Sequence, residues 1–266
     1  MPAFDNKVVW LTGASSGIGE ALAYELSGKG AKLILSARRK DELERVKGNC
    51  SPDSQPEIRV LPLDLEKAET LQLTTESAIQ LFGRIDILIN NGGITQRSLV
   101  ANASLAVDRR IMEVNYFGPI ALTKYLLPHF ILRKCGHFVN ISSLTGKFGT
   151  PYRSGYAASK HALHGFFDAV RAEHYKDNIK VTMVCPGFIH TRLTLSALTA
   201  DGSPLNKMDE AQYKGKPADW CARKIVNAIE KDKEEVYIGG REVFGVYIKR
   251  FFPRIFSRII RNVAVR

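Results

Sequence analysis

Four cysteines in 266 residues are few, and Cys50, Cys135, Cys185 and Cys221 form no C-x-x-C pair. A disulfide scaffold is therefore excluded, and the thiols read as reduced groups of a reducing compartment. No His/Cys cluster has zinc-ligand spacing, so no metal is expected. No apolar run approaches the roughly 20 residues of a membrane-spanning helix. A strand pattern starts almost at Met1 and leaves no room for a signal peptide. Together these absences predict a cytoplasmic protein. Internal repeats, low-complexity linkers and nucleic-acid motifs are also missing. With 45% hydrophobic and 24% charged residues, the chain is neither disordered nor fibrous.

What the chain has is positive charge, unevenly placed. The formal net charge is +11. Residues 241–266 hold seven basic residues and one acid, so more than half of the excess lies in the last 26 residues. A basic tail on a nearly balanced body suits an anionic partner better than it suits a nucleic-acid groove.

Short β-branched runs alternate with helical-period segments. Strands are predicted at Lys7–Thr12, Lys32–Ser36, Glu57–Leu61, Ile85–Asn90, His137–Ser142, Lys180–Cys185 and Glu235–Ile238. Helices are predicted at Gly17–Gly28, Lys40–Lys47, Lys67–Phe82, Leu105–Arg133, Ser154–Tyr175 and Pro217–Lys231. This alternation predicts a single-domain, doubly wound α/β fold: a parallel sheet of about seven strands with helices on both faces. The domain is expected over residues 1–242, with a tail over 243–266. Residues 187–216 form a long Gly/Pro/Ser/Thr-rich connection of the kind that serves as a lid or binding loop.

Directly after the first strand, Thr12–Gly19 reads TGASSGIG and opens the first helix. Gly13 permits a tight turn, Gly17 lets backbone approach a pyrophosphate, and Gly19 lets helix and strand pack closely. A ligand-free Gly-rich turn is the plain alternative, disfavoured by the four further α/β units. The G-x-x-x-G-x-G spacing resembles that of the short-chain dehydrogenase/reductase family, a Rossmann-fold family of oxidoreductases. The resemblance extends to NNGG at Asn90–Gly93, where the family usually has NNAG, and to PGFIHT at Pro186–Thr191. It implies cofactor contacts from Gly13, Ser15, Ser16, Gly17, Ile18, Gly19, Asp64, Leu65, Asn91, Gly92, Pro186, Gly187, Ile189 and Thr191. Asp64 reads equally well as a helix N-cap. At the end of the second strand the carboxylate of an NAD enzyme would fall near Ala37, and none is there. Arg38 and Arg39 follow instead, and a guanidinium pairs with a 2′-phosphate. The expected cofactor is NADP(H), with a solvated basic helix start as the alternative.

Tyr156 and Lys160 form Y-x-x-x-K and share one helix face. An ammonium beside a phenol stabilises the phenolate and is expected to lower the Tyr156 pKa. A poised phenol can exchange a proton with a carbonyl oxygen. Ser143, 13 residues upstream at a strand end, matches the family's serine spacing better than Ser142, and the resemblance gives it the substrate oxygen. Asn115 in VNYFG would hold a water in the lysine's proton relay; otherwise it satisfies a backbone group. The resemblance thus implies hydride exchange between NADP(H) and a carbonyl/secondary-alcohol pair, with Tyr156 and Lys160 also touching cofactor. No histidine is assigned a role.

VNYFGPIALTKYLLP, PYRSGYAASKHA and PGFIHTRL look like the dehydrogenase/reductase member 7-type branch, near the 11-beta-hydroxysteroid dehydrogenases. That branch implies an apolar or lipid-like small-molecule substrate, and the family implies a homodimer or homotetramer. In the tail, Arg250, Arg254, Arg258 and Arg261 fall on one helical stripe and Phe244, Ile248, Phe252, Ile255 and Ile259 largely on another. Pro253 should kink or restart the helix. Such a helix either lies peripherally on an anionic membrane or packs over the substrate mouth or a subunit interface. A catalytically silent NADP-binding regulator and a membrane-surface adaptor remain the alternatives to an enzyme.

Overall fold

The computed structural model describes residues 4–262. Its strands are β1 Val8–Thr12, β2 Lys32–Ser36, β3 Ile58–Val60, β4 Ile87–Asn90, β5 Gly136–Ile141, β6 Ile179–Pro186 and β7 Glu235–Ile238. They make one parallel sheet in the order β3-β2-β1-β4-β5-β6-β7. The helices are α1 Gly17–Ser27, α2 Lys40–Gly48, α3 Leu71–Phe82, α4 Leu105–Met112, α5 Gly118–Arg133, α6 Ser154–Glu173, α7 Glu210–Tyr213, α8 Ala218–Glu230, α9 Phe244–Phe251 and α10 Pro253–Ile260. All seven predicted strands form, with ends shifted by at most two residues.

Both faces of the sheet are covered, which explains the continuous apolar strands. Val9, Leu11, Leu33, Leu35 and Ile89 point into a core with α1, α2 and α8. Alternate residues Val8, Trp10, Ile34, Leu88 and Phe138 point into a second core with α3, α5 and α6. Each fully buried aliphatic side chain contributes roughly 2 kcal/mol. The indole of Trp10 donates to the Ser36 hydroxyl at 2.9 Å, so its burial leaves no orphan donor. Strand order reverses between β1 and β4, and in such sheets a crevice opens at the carboxyl ends of those strands.

Three predicted elements differ in ways that matter. The helix expected over Lys67–Phe82 starts as a 3-10 turn at Ala68–Thr70 and becomes α-helical only at Leu71. The long helix over Leu105–Arg133 is interrupted by a π turn at Glu113–Phe117, where the Gly118 N–H bonds the Glu113 carbonyl. Pro119 has no N–H for the carbonyl of Asn115, so the regular ladder cannot run through this point. The tail breaks at Phe252 and restarts with Pro253 as the first residue of α10. Its Phe256 is buried against Phe148, with ring centres 5.0 Å apart.

The connection after β6 is not a free loop. Leu198 N–H donates to the Thr95 carbonyl and Arg97 N–H to the Leu198 carbonyl, both at 2.8 Å. A bridge pairs Ile189 with Lys216. The lid is thereby laid over the segment that follows β4.

Candidate active site

The first turn after β1 is built as its glycines require. Gly13 and Gly17 adopt φ of +63° and +59°, where L side chains are strained. A Cβ at Gly13 would stand 2.7 Å from the Gly92 Cα, and one at Gly19 2.1 Å from the Gly13 carbonyl oxygen. The Asn91 amide donates to the carbonyls of Thr12 and Gly13, both at 3.1 Å. The Thr12 hydroxyl accepts from the Asn91 and Gly92 N–H groups, both at 3.0 Å. The turns after β1 and β4 are therefore stapled together. Ser16 caps α1 in extended conformation without a side-chain bond, so among the described residues the first N–H groups of the helix have no side-chain cap. A methyl at Gly92, the family's usual alanine, would meet the flexible Leu65 Cδ1 at 2.7 Å.

This turn forms one end of a cavity of 1450 Å³. Gly13, Ser15, Ser16, Gly17, Ile18, Arg38, Arg39, Asp64, Leu65, Asn91 and Gly92 line it. So do Pro186, Gly187, Ile189 and Thr191 from the segment after β6, and Ser143, Tyr156 and Lys160. Gly19 and Asn115 do not. Gly19 lies beneath the turn, where its missing side chain allows α1 to pack. Arg38 and Arg39 are exposed at the end of β2 and make no ion pair among the described residues. Arg45 is different: it is held by Glu20 at 2.7 Å and Glu42 at 2.9 Å. Asp64 accepts the Glu66 N–H at 3.1 Å in a local turn and does not cap α3.

Ser143 and Ser142 separate cleanly. The Ser143 hydroxyl is half-buried, donates to the Pro186 carbonyl at 3.4 Å and accepts from the Thr145 N–H and hydroxyl at 3.2 and 3.0 Å. Ser142 turns away to the His164 ring at 3.0 Å. Lys160 is buried; its ammonium donates to the Ile141 carbonyl at 2.7 Å and stands 5.8 Å from the Tyr156 ring centre. Asn115 is fully buried, and its amide clamps Ile94: Oδ1 accepts from Ile94 N–H at 2.8 Å and Nδ2 donates to its carbonyl at 2.9 Å. The backbone-satisfying alternative for this side chain is what the geometry contains.

The expected acidification of Tyr156 is not found. Burial pushes the phenol above its ordinary 10, against the opposing influence of the Arg153 guanidinium, the Ser143 hydroxyl and Arg97. Burial also pushes the Lys160 ammonium down to about 8. For both groups desolvation outweighs the charges around them.

Sequence reasoning missed Arg97, Arg153 and Asp209. Arg97 Nε meets Asp209 Oδ2 at 2.8 Å, and Arg153 lies on the same oxygen. Nothing in their local sequence marks them; the lid brings Asp209 across 112 positions to Arg97. Among the described residues, no His/Cys/Asp/Glu group could hold a metal ion, and no helix is long and apolar enough to cross a membrane.

Comparison with known proteins agrees with this architecture. Residues 7–201 match the family model described as short chain dehydrogenase. A dehydrogenase/reductase SDR family protein 7-like of Anopheles gambiae is 44% identical over 98% of this chain and 84% of its own. Dehydrogenase/reductase SDR family member 7B of Mus musculus is 42% identical over 97% and 81%. A Streptomyces avermitilis short-chain dehydrogenase superposes with a TM-score of 0.83 at 28% identity, over 97% of this chain and 98% of that one. A Burkholderia phymatum short-chain dehydrogenase/reductase solved in complex with NAD has a TM-score of 0.82 at 22% identity, over 96% of each, and shares the fold. The chain belongs to the short-chain dehydrogenase/reductase family of oxidoreductases, in its member 7 branch.

Proposed function

We propose that this protein interconverts a carbonyl and a secondary alcohol with NADP(H), on an apolar or lipid-like small molecule. The observation that carries the reading is the presence of Ser143, Tyr156 and Lys160 on the cavity that the glycine turn also lines. The turn fits a dinucleotide. It has positive φ where a backbone must bend, no space for a side chain at Gly13, and an uncapped helix start of the kind that holds a pyrophosphate. The NAD of the Burkholderia relative supports a nicotinamide dinucleotide here. Arg38 and Arg39, which make no ion pair among the described residues, favour the form with a 2′-phosphate. When bound, that cofactor supplies or accepts the hydride.

The chain's own residues do the rest. Tyr156, kept protonated at neutral pH by burial, gives its proton to the carbonyl oxygen of the substrate as charge develops there. Ser143, held by Thr145, orients that oxygen. Lys160, with a pKa of about 8, sits close to neutrality and can restore the phenol's proton. Asn115 acts as a positioning residue that fixes the backbone after β4. A raised phenol pKa suits the acid role, and hence reduction, better than proton removal in oxidation. Apolar walls from Phe148, Phe188, Ile248 and Phe256 support an apolar substrate. Residues 1–242 would then be the catalytic body and residues 243–266 a tail, whose described part, residues 243–262, reaches the mouth of the cavity through Phe244, Ile248 and Phe256. Exposed Phe117, Tyr125 and Leu132 on the outer face of α5 and the turn before it support a homo-oligomer through these helices. A screen of ketones and secondary alcohols, read by reduced-nicotinamide absorbance with both cofactors, tests the reading. NADPH-linked turnover is expected; equal use of NADH contradicts the cofactor assignment, and no turnover contradicts the enzyme.

A further inference from the structure

Tyr156 is the third residue of α6, and so lies in the first turn, where helices fray most readily. The opening N–H groups of a helix need acceptors from outside it, and the residue just before the helix is the usual source. Here that residue is Arg153, whose side chain can only donate and makes no capping bond.

Gln96 supplies the missing acceptor from 59 positions away. Its Oε1 accepts from the Gly155 N–H at 2.9 Å and from the Tyr156 N–H at 3.4 Å. These are the second and third positions of the helix, the two that a capping side chain serves. Gln96 is fully buried and does not line the cavity, although its neighbours Thr95 and Arg97 do. Its Nε2 donates to the Ser98 Oγ at 3.0 Å, which leaves the amide oxygen toward α6. Its backbone is fixed as well. The Gln96 carbonyl accepts from Arg97 Nη1 at 2.6 Å, and the residue is bridged to Leu198 of the lid. Two residues on, the Ser98 N–H donates to the Tyr152 carbonyl at 3.1 Å. Tyr152 has a φ of +65°, a conformation kept only where the surroundings over-determine it. Residues 96–98 thus grip the entry of α6 at two points.

Gly155 makes room for this arrangement. A Cβ there would collide with the Asp108 Oδ1 and stand 3.1 Å from the Gln96 Oε1. The Asp108 Oδ1 is buried, has no hydrogen-bond partner among the described residues, and faces the positive end of the α6 dipole. Acceptors from two other segments therefore do at this helix end what its own preceding residue cannot.

We propose that Gln96 is a positioning residue: by capping α6 in place of Arg153 it fixes the turn that carries Tyr156 and so aims the phenol at the reacting oxygen. The proposal rests on the carbonyl-reductase reading for what Tyr156 does, not for where it is held. A displacement of about 1 Å caused far from the chemistry can lower a rate roughly 100-fold.

The test compares wild type, Gln96→Met and Gln96→Glu, each with NADPH and benzylacetone. Methionine matches glutamine in length and is a poor acceptor. Glutamate offers the two N–H groups an oxygen whether or not it is protonated, and the Ser98 hydroxyl can turn to suit it. In Gln96→Met, kcat should fall about 10- to 100-fold while KM for the ketone and affinity for NADPH stay within about threefold of wild type. Gln96→Glu should recover kcat to within about fivefold of wild type, because the cap is restored. A second readout needs no turnover: the ring-carbon resonance of Tyr156 in protein labelled with carbon-13 tyrosine, assigned by its loss in Tyr156→Phe. It should be displaced or broadened in Gln96→Met and return in Gln96→Glu. That pattern with no ketone turned over by wild type would keep the positioning role and overturn the carbonyl-reductase reading. An undisturbed resonance or a wild-type kcat in Gln96→Met would overturn the positioning role. So would a loss of affinity as large as the loss of kcat, or a Gln96→Glu as impaired as Gln96→Met.

Discussion

The Lys160 ammonium donates to the Ile141 carbonyl oxygen at 2.7 Å, at the carboxyl end of β5. That bond ties the helix carrying Tyr156 to the central sheet. Burial governs both groups: the phenol rises above its ordinary value and the ammonium falls to about 8.

A pH profile follows. Below pH 8 Lys160 is charged and Tyr156 protonated, the states that reduction uses. The kcat/KM for reduction should be flat at neutral pH and decline above about pH 8. Oxidation needs the phenolate and should keep rising to pH 10 and beyond. His164 beside Ser142 is held to about 4 by burial, with Lys147 adding to the effect, so no limb is expected near pH 6.5. Profiles in both directions check this, and a limb near 6.5 would contradict it.

Cofactor choice should rest on Arg38. Replacing it with alanine removes a charge-assisted bond to a 2′-phosphate, worth roughly 2 kcal/mol, so KM for NADPH should rise about 30-fold. KM for NADH should hardly change. Steady-state kinetics with each cofactor decides; a parallel rise in both would mean that Arg38 only shapes the loop.

Acid stability should depend on buried histidines. His137 and His164 have folded values of about 4, both chiefly through burial, against an ordinary 6.5. The unfolded chain therefore binds more protons, and stability is lost as pH falls from 6.5 to 4, by up to about 3 kcal/mol for each histidine. Urea midpoints across that range, compared with His137→Gln and His164→Gln, measure each share. A variant as acid-sensitive as wild type would contradict the assignment for that residue.

The tail should bind anionic bilayers. Phe244, Tyr247, Phe251, Phe252, Ile255 and Ile259 are exposed, and Lys249, Arg250, Arg254, Arg258 and Arg261 make no ion pair among the described residues. Because Phe256 packs on Phe148, the outward face is changed without touching the inward one. Flotation with phosphatidylserine vesicles should recover the protein, and Arg254→Glu with Arg258→Glu should abolish recovery. Recovery equal to that on neutral phosphatidylcholine vesicles would remove the membrane reading.

Most of this fold was legible because parallel strands buried on both faces are written as short apolar runs. The glycine turn was legible because φ above zero and a 2.1 Å approach leave few other residues possible. Less legible was whatever depends on contacts between distant segments. Pro119 was a local cue to the π turn at Asn115, yet the side chain's partner, Ile94, lies 21 positions away. The direction of the Tyr156 shift could not be read from Y-x-x-x-K, because spacing carries no burial. Arg97, Arg153 and Asp209 look like ordinary loop charges until the lid brings them together.

The central claim is that the Tyr156 hydroxyl delivers the proton to the reacting oxygen. The direct measurement is single-turnover NADPH oxidation by Tyr156→Phe with a ketone that wild type reduces, alongside NADPH affinity by fluorescence titration. Affinity should stay within about threefold of wild type while the rate falls by roughly 10²–10⁴. A rate near wild type with affinity unchanged would place the proton donor elsewhere.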